Sequence, residues 1–270
     1  MRATFIRHGQ STGNAGIPCH DLATIELTEK GWDQARRVAA DWTEIPSLIV
    51  TSPFLRTQQT AAPTIERFPN VPVEVWPIEE FIYLQPSRWN GTLAADRAPH
   101  LVRYWGEADP AYCDGEGAES FGTLLRRAEA ALSRLAALAS PGPVYVFSHG
   151  QFIQAVRAVL TEFELDDRGK MLRFWRKGEP PAIGNAELVS VELARRRGRL
   201  EDVRNRTLCT PQPEPLPHHE APPNPSRPPS HTPSTTRCCK HHWSPASELA
   251  EQNADPVKAT RSEEVSRINQ

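Results

Sequence analysis

Short apolar runs alternate with longer stretches carrying one apolar stripe through the first three-quarters of the chain, a pattern that predicts strands alternating with amphipathic helices. The strand segments are Ala3 to Ile6, Leu48 to Thr51, Val73 to Trp76, Val144 to Phe147 and Leu188 to Leu193. After the first of them, Trp32, Ala35, Val38, Ala39 and Trp42 share one helical stripe, and Thr28 stands where an N-cap accepts from the first turn. Ser52 with Pro53 has the form of a cap followed by proline at the first helical position. Ser120 opens a further helix with Phe121, Leu124, Leu125, Ala128, Leu132 and Leu135 inward, and Phe152, Ile153, Val156 and Val159 mark the buried face of another. Strands joined through helices of this length need crossover connections. The expected fold is therefore α/β, a three-layer sandwich with a mostly parallel sheet covered by helices on both faces.

This pattern stops near residue 204. From Asn205 to Gln270 the chain holds 12 of its 26 prolines and Trp243 as its one Phe, Trp or Tyr residue. Such a stretch cannot bury enough apolar area to offset an ordering entropy of about 1–2 kcal/mol per residue. The expected organisation is a domain over residues 1–204 and a Pro-rich disordered tail over 205–270. Composition is otherwise that of a globular chain, 39% hydrophobic and 24% charged. A formal charge of −2 provides no global basic field for nucleic acid or an anionic membrane, and no apolar run reaches the ~20 residues that span a bilayer. A cytoplasmic protein is expected. Five cysteines, an odd and scattered set, read as reduced thiols; Cys238 and Cys239 beside His241 and His242 match no structural zinc spacing.

In an open α/β sheet, ligands bind beyond the carboxyl ends of the strands, so the residues following each strand carry the candidate chemistry. Arg7, His8, Gly9, Gln10, Ser11 and Asn14 follow the first strand; Ser52, Pro53 and Arg56 follow the second; Ser148, His149 and Gly150 follow the strand from Val144. Each alone has a plain structural role available, as a core histidine or a surface ion pair. Two arginines and two histidines gathered with two helix starts make an anion pocket, because guanidinium forks and free backbone N–H groups both favour phosphate. A histidine there doubles as a nucleophile, since neighbouring positive charge disfavours its cationic form.

Arg7-His8-Gly9-Gln10-Ser11-Thr12-Gly13-Asn14 resembles the signature R-H-G-x-[S/T]-x-x-N of the histidine phosphatase superfamily, which includes phosphoglycerate mutases and many phosphatases. Leu27-Thr28-Glu29-Lys30-Gly31 with Gln34-Ala35, Thr51-Ser52-Pro53 through Arg56 and Thr60, and Ser148-His149-Gly150 follow in the family's order, so the resemblance spans roughly residues 1 to 193. It implies that His8 becomes phosphohistidine, that Arg7, Arg56 and His149 hold the phosphoryl oxygens, and that Asn14 supports the phosphate pocket. No metal or cofactor is then required. It also implies a carboxylic acid after the third strand, and Ile78-Glu79-Glu80-Phe81 aligns Glu80 with that proton donor, Glu79 being the alternative. Asn90 replaces the glutamate of the family's Trp-Glu-Gly. Asn185 resembles an asparagine often found before the last strand, where a turn role is equally available.

Between Phe81 and Tyr112 an aromatic-rich insertion holds Tyr83, Trp89, Tyr104 and Trp105, which either line a substrate cavity or pack the insertion onto the sheet. Lys170, Arg173, Arg176 and Lys177 form a basic face whose default reading is a solvated helix surface. The function expected is hydrolysis of a small phosphorylated metabolite through phosphohistidine. The alternatives are a phosphoglycerate mutase, disfavoured because Gly13 to Glu26 lacks the tryptophan- and asparagine-rich sequence of mutases, and a catalytically silent phosphate-binding module, disfavoured by the full set of catalytic residue types.

Overall fold

A computed structural model describes residues 1–138, 141–175, 182–196 and 199–204. The elements are β1 (Arg2–Arg7), α1 (Glu29–Asp41), β2 (Leu48–Thr51), α2 (Leu55–Arg67), β3 (Val73–Val75), α3 (Pro86–Trp89), α4 (Ala94–Glu107), α5 (Phe121–Ala137), β4 (Val144–Ser148), α6 (Gly150–Thr161), α7 (Asp167–Trp175), β5 (Leu188–Arg196) and β6 (Arg199–Asp202). They form one sheet in the order β3-β2-β4-β1-β5-β6. The four strands from β3 to β1 run parallel, while β5 pairs antiparallel with both β1 and β6. The expected five strands are present. Strand β6 was not anticipated, because Arg-Leu-Glu-Asp offers no apolar alternation.

Alternation along the central strands divides the core into two layers. Phe5, Val50, Val144 and Val146 point to one face, where they meet Leu124, Leu132 and Leu135 of α5 and Phe152, Ile153 and Val156 of α6. Ile6, Ile49, Tyr145 and Phe147 point to the other, against Val38 of α1, Trp42 and Ala61 of α2. Burying each such side chain contributes about 1.5–3 kcal/mol. Trp42 stacks on Tyr145 at 3.7 Å between ring centroids and donates from Nε1 to Thr64 Oγ1, so its polar edge is satisfied as well.

The caps expected at Thr28 and Ser120 are present: each side chain accepts from a backbone N–H three residues on, Gly31 and Thr123. Ser52 does not cap α2, which starts at Leu55 with Phe54 as N-cap. Its hydroxyl is engaged locally instead, accepting from the Phe54 N–H at 3.2 Å. Five residues of the aromatic stretch pack onto the domain: Phe81, Tyr104 and Trp105 are buried in the α5/α6 layer and Tyr83 and Tyr112 pack against it, whereas Trp89 lies against His100 at 4.3 Å between ring centroids. Lys170 and Arg173 pair with Asp167 at 3.7 Å and Glu162 at 3.0 Å, Arg173 and Asp167 being exposed while Lys170 and Glu162 are largely covered; Arg176 and Lys177 lie outside the described residues. So do the tail from 205 to 270 and its Cys238–His242 cluster. Cys19 and Cys113 are free thiols. Among the described residues no helix is long and apolar enough to cross a membrane.

Candidate active site

Strand order builds the site. Because β4 lies between β2 and β1, with Arg7 opposite Ser148 and Thr51 opposite Phe147, the residues that follow these three strands emerge side by side at one sheet edge. His8, Ser52 and His149 are thereby brought together from distant parts of the chain. The ring centroids of His8 and His149 lie 5.2 Å apart, and His149 Nε2 is 2.9 Å from Ser52 Oγ. Arg56, in the first turn of α2, donates from Nε to His8 Nε2 at 3.2 Å and from Nη1 to the Leu22 carbonyl at 2.7 Å. Arg7 extends from the end of β1 and donates from Nη1 to the Ile183 carbonyl at 2.6 Å.

Several sequence motifs hold the His8 loop in place. The Gly9 N–H donates to Thr60 Oγ1 at 3.0 Å and the Gln10 N–H to Gln34 Oε1 at 2.8 Å. The Gln10 carbonyl accepts from the Thr28 N–H at 2.9 Å. Glycine is required where α1 crosses this loop: a Cβ on Gly31 would stand 2.1 Å from the Gln10 carbonyl oxygen, and one on Gly9 would stand 2.6 Å from that of Gly31. Asn14 Oδ1 accepts from Ser11 N–H and Oγ–H and from Asn185 Nδ2, and Asn185 Nδ2 also reaches the His8 carbonyl at 3.1 Å. Asn185 therefore ties the entry to β5 directly to the site.

The two glutamates diverge. Glu80 Oε1 accepts from the Gln151 N–H in the first turn of α6 and from the Phe81 N–H, both at 3.2 Å. A Glu80 carboxylate oxygen and one ring nitrogen each of His8 and His149 all lie within 4.8 Å of one another. Glu79 turns the other way, to Arg127 at 3.7 Å. Two imidazoles and a carboxylate are also a metal-ligand set, yet the Arg7 and Arg56 guanidinium groups beside them oppose a dication there.

Protonation follows from the surroundings. His8 is 3% exposed, Arg56 5% and His149 0%. Burial, reinforced by the Arg56 and Arg7 guanidinium groups, holds the His8 imidazole well below its ordinary value; burial, then Arg56, His8 and Arg7, does the same for His149. Both rings are neutral at pH 7. A neutral His8 whose Nδ1 lies 2.7 Å from the Gly9 carbonyl must carry its proton there, so Nε2 presents a lone pair. Burial lowers Arg7, and burial with the nearby Arg7 charge lowers Arg56 to about 10, which leaves both cationic at neutral pH. Arg7 Nε and His149 Nδ1 are buried without a hydrogen-bond partner.

The profile of the histidine phosphatase superfamily (branch 1) matches residues 3–206, and the chain belongs to that family. A solved mycobacterial hydrolase is 26% identical, with a TM-score of 0.57 over 72% of this chain and 92% of its own. A mycobacterial glucosyl-3-phosphoglycerate phosphatase is also 26% identical, with a TM-score of 0.55 over 70% of this chain and 89% of its own. A phosphoserine phosphatase variant from Entamoeba histolytica, solved with phosphoserine, shares the fold at 19% identity and a TM-score of 0.58, covering 75% of this chain and 94% of its own. Comparison with curated protein sequences finds no match.

Proposed function

We propose that the chain is a phosphomonoester hydrolase that works through a phosphohistidine on His8, with residues 1–204 as the catalytic unit and small phosphorylated metabolites as substrates. The observation that carries this reading is the neutral His8 ring, anchored through Nδ1 to the Gly9 carbonyl with its Nε2 lone pair set among two arginines. The substrate phosphoryl oxygens take the Arg7 and Arg56 guanidinium groups and the unpartnered Nδ1 of His149. Nε2 attacks phosphorus in line, the P–N bond forms as the ester P–O bond breaks, and protonated Glu80 gives its proton to the leaving oxygen. Water then attacks phosphorus while the Glu80 carboxylate takes its proton. Phosphate leaves, and free His8 and protonated Glu80 return. Fixed cations at the equatorial oxygens stabilise charge without reorganising during the reaction, the largest effect such a site can supply.

The test is hydrolysis of p-nitrophenyl phosphate by wild type and His8→Ala, with a rapid quench to trap an acid-labile, base-stable phosphoryl group. Turnover that depends on His8, together with the adduct, supports the reading; equal turnover by both proteins refutes it. Release of phosphate from 3-phosphoglycerate rather than its isomerisation separates hydrolase from mutase.

A further inference from the structure

Glu80 rides on a segment with no ladder of its own, since residues 76–85 belong to no helix or strand. Its backbone carbonyls need partners from elsewhere. Ser148 Oγ donates to the Ile78 carbonyl at 2.7 Å and the Glu119 N–H to that of Ile82 at 2.7 Å. Two further carbonyls are held by one side chain of α5: Arg127 Nη1 donates to those of Pro77 at 3.0 Å and Glu79 at 3.2 Å. The Glu79 carbonyl belongs to the peptide that carries Glu80. Arg127 is in turn clamped by both Glu119 oxygens, Nε to Oε1 at 2.8 Å and Nη2 to Oε2 at 2.7 Å. Its guanidinium also lies 5.2 Å from the ring centre of Phe152, the neighbour of the Gln151 whose N–H holds Glu80. With 16% exposure of both Arg127 and Glu119, this fork is better shielded than a surface pair.

We propose that Arg127 is a positioning residue for the proton donor: held by Glu119, it fixes the Glu79–Glu80 peptide and thereby sets the reach of the Glu80 carboxyl to the leaving-group oxygen. This inference rests on the reading of Glu80 as that donor. Lysine at position 127 keeps the positive charge but cannot span the Glu119 carboxylate and two carbonyls at once. Protonation matters for a poor alkoxide leaving group and hardly at all for nitrophenolate, so loss of positioning has a signature that general loosening lacks.

The experiment measures kcat and KM on β-glycerophosphate and p-nitrophenyl phosphate for wild type, Arg127→Lys, Glu119→Gln, Glu80→Gln and the Arg127→Lys/Glu80→Gln double variant. Arg127→Lys is expected to lower kcat/KM, which reports the steps up to cleavage of the ester bond and not the shared hydrolysis of phosphohistidine, about tenfold or more on the alkyl ester and less than about threefold on the aryl ester, part of the roughly 10²–10⁴ that general acid catalysis supplies. The double variant should be no more selective than Glu80→Gln alone. Glu119→Gln, which opens the clamp with an uncharged isostere, should reproduce the effect more weakly and decides the matter should Arg127→Lys fail to fold. Equal loss of kcat/KM on both esters in the 127 and 119 variants, with a selective loss in Glu80→Gln, overturns the positioning role and leaves the donor intact. Equal loss of kcat/KM on both esters in Glu80→Gln removes the donor, and the proposal with it.

Discussion

Replacing Gly31 by alanine sets two effects of opposite sign against each other. Gly31 is the third residue of α1, and alanine is favoured over glycine in a helix by about 1 kcal/mol. Against that, the added Cβ would stand 2.1 Å from the Gln10 carbonyl oxygen and 3.1 Å from the Gln10 carbonyl carbon and nitrogen, all backbone atoms that cannot rotate away. Restoring contact requires a relative shift of about 1 Å between α1 and the loop, and overpacking of this kind costs roughly 1–3 kcal/mol or more. The same oxygen accepts from the Thr28 N–H at 2.9 Å and from Thr28 Oγ1 at 3.2 Å, and weakening each of these costs about 0.5–1.5 kcal/mol. The clash wins, with a net loss of about 3 kcal/mol. At about 2–4 °C per kcal/mol for a domain of this size, the melting temperature should fall by about 6–12 °C. Gln10 is two residues from His8, so kcat should fall as well, by up to about a hundredfold for a 1 Å displacement. Gly106→Ala in α4 is the control: its Cβ would meet nothing within 4 Å, so only the propensity gain operates and the melting temperature should rise by about 2–4 °C. Calorimetric melts and p-nitrophenyl phosphate turnover on both variants decide the matter. A Gly31→Ala protein that melts at or above wild type refutes the close approach.

Stability should fall below about pH 6.5, the unfolded histidine value, because the unfolded chain there binds protons that the buried His8 and His149 rings refuse. The stability that each ring contributes is present in full above that pH and falls by up to about 1.4 kcal/mol per pH unit as pH drops toward the depressed folded values; urea midpoints at pH 7.5 and 5.5 should differ less for His8→Gln than for wild type. Asn185→Ala removes donors to the His8 carbonyl and Asn14 Oδ1, and should cost about 1–3 kcal/mol in denaturant melts together with a drop in kcat; an unchanged kcat separates the turn from the site. Truncation after residue 204 should leave turnover and melting temperature within error of the full chain, and a large loss of either would assign the segment a docking role.

What was legible in the sequence is what local chemistry dictates. Thr28 and Ser120 cap helices because the N–H groups that they satisfy lie three residues away. Ser52 has the same local form, yet its hydroxyl faces His149, 97 residues distant, and serves the turn before α2 instead. The strand segments were visible as apolar runs, whereas the antiparallel direction of β5 depends on how the chain re-enters the sheet, which no local pattern records. Glu79 and Glu80 are chemically identical in sequence; what separates them is Arg127, which reads as one more charged position on an amphipathic helix because its partners lie 8 to 50 residues away. Asn185 was ambiguous for the same reason, its partners lying in the loop after β1.

The central placement of β4 has a consequence for how the molecule comes into being. The first two strands made at the ribosome never touch one another; each pairs with β4, whose last residue is Ser148. A nascent chain that ends before Val144 therefore lacks the keystone of its sheet, and loop-closure entropy has to be met before any of that pairing is rewarded. The second imidazole, His149, follows this strand directly, so the two histidines of the site cannot be brought face to face until the central strand is in place.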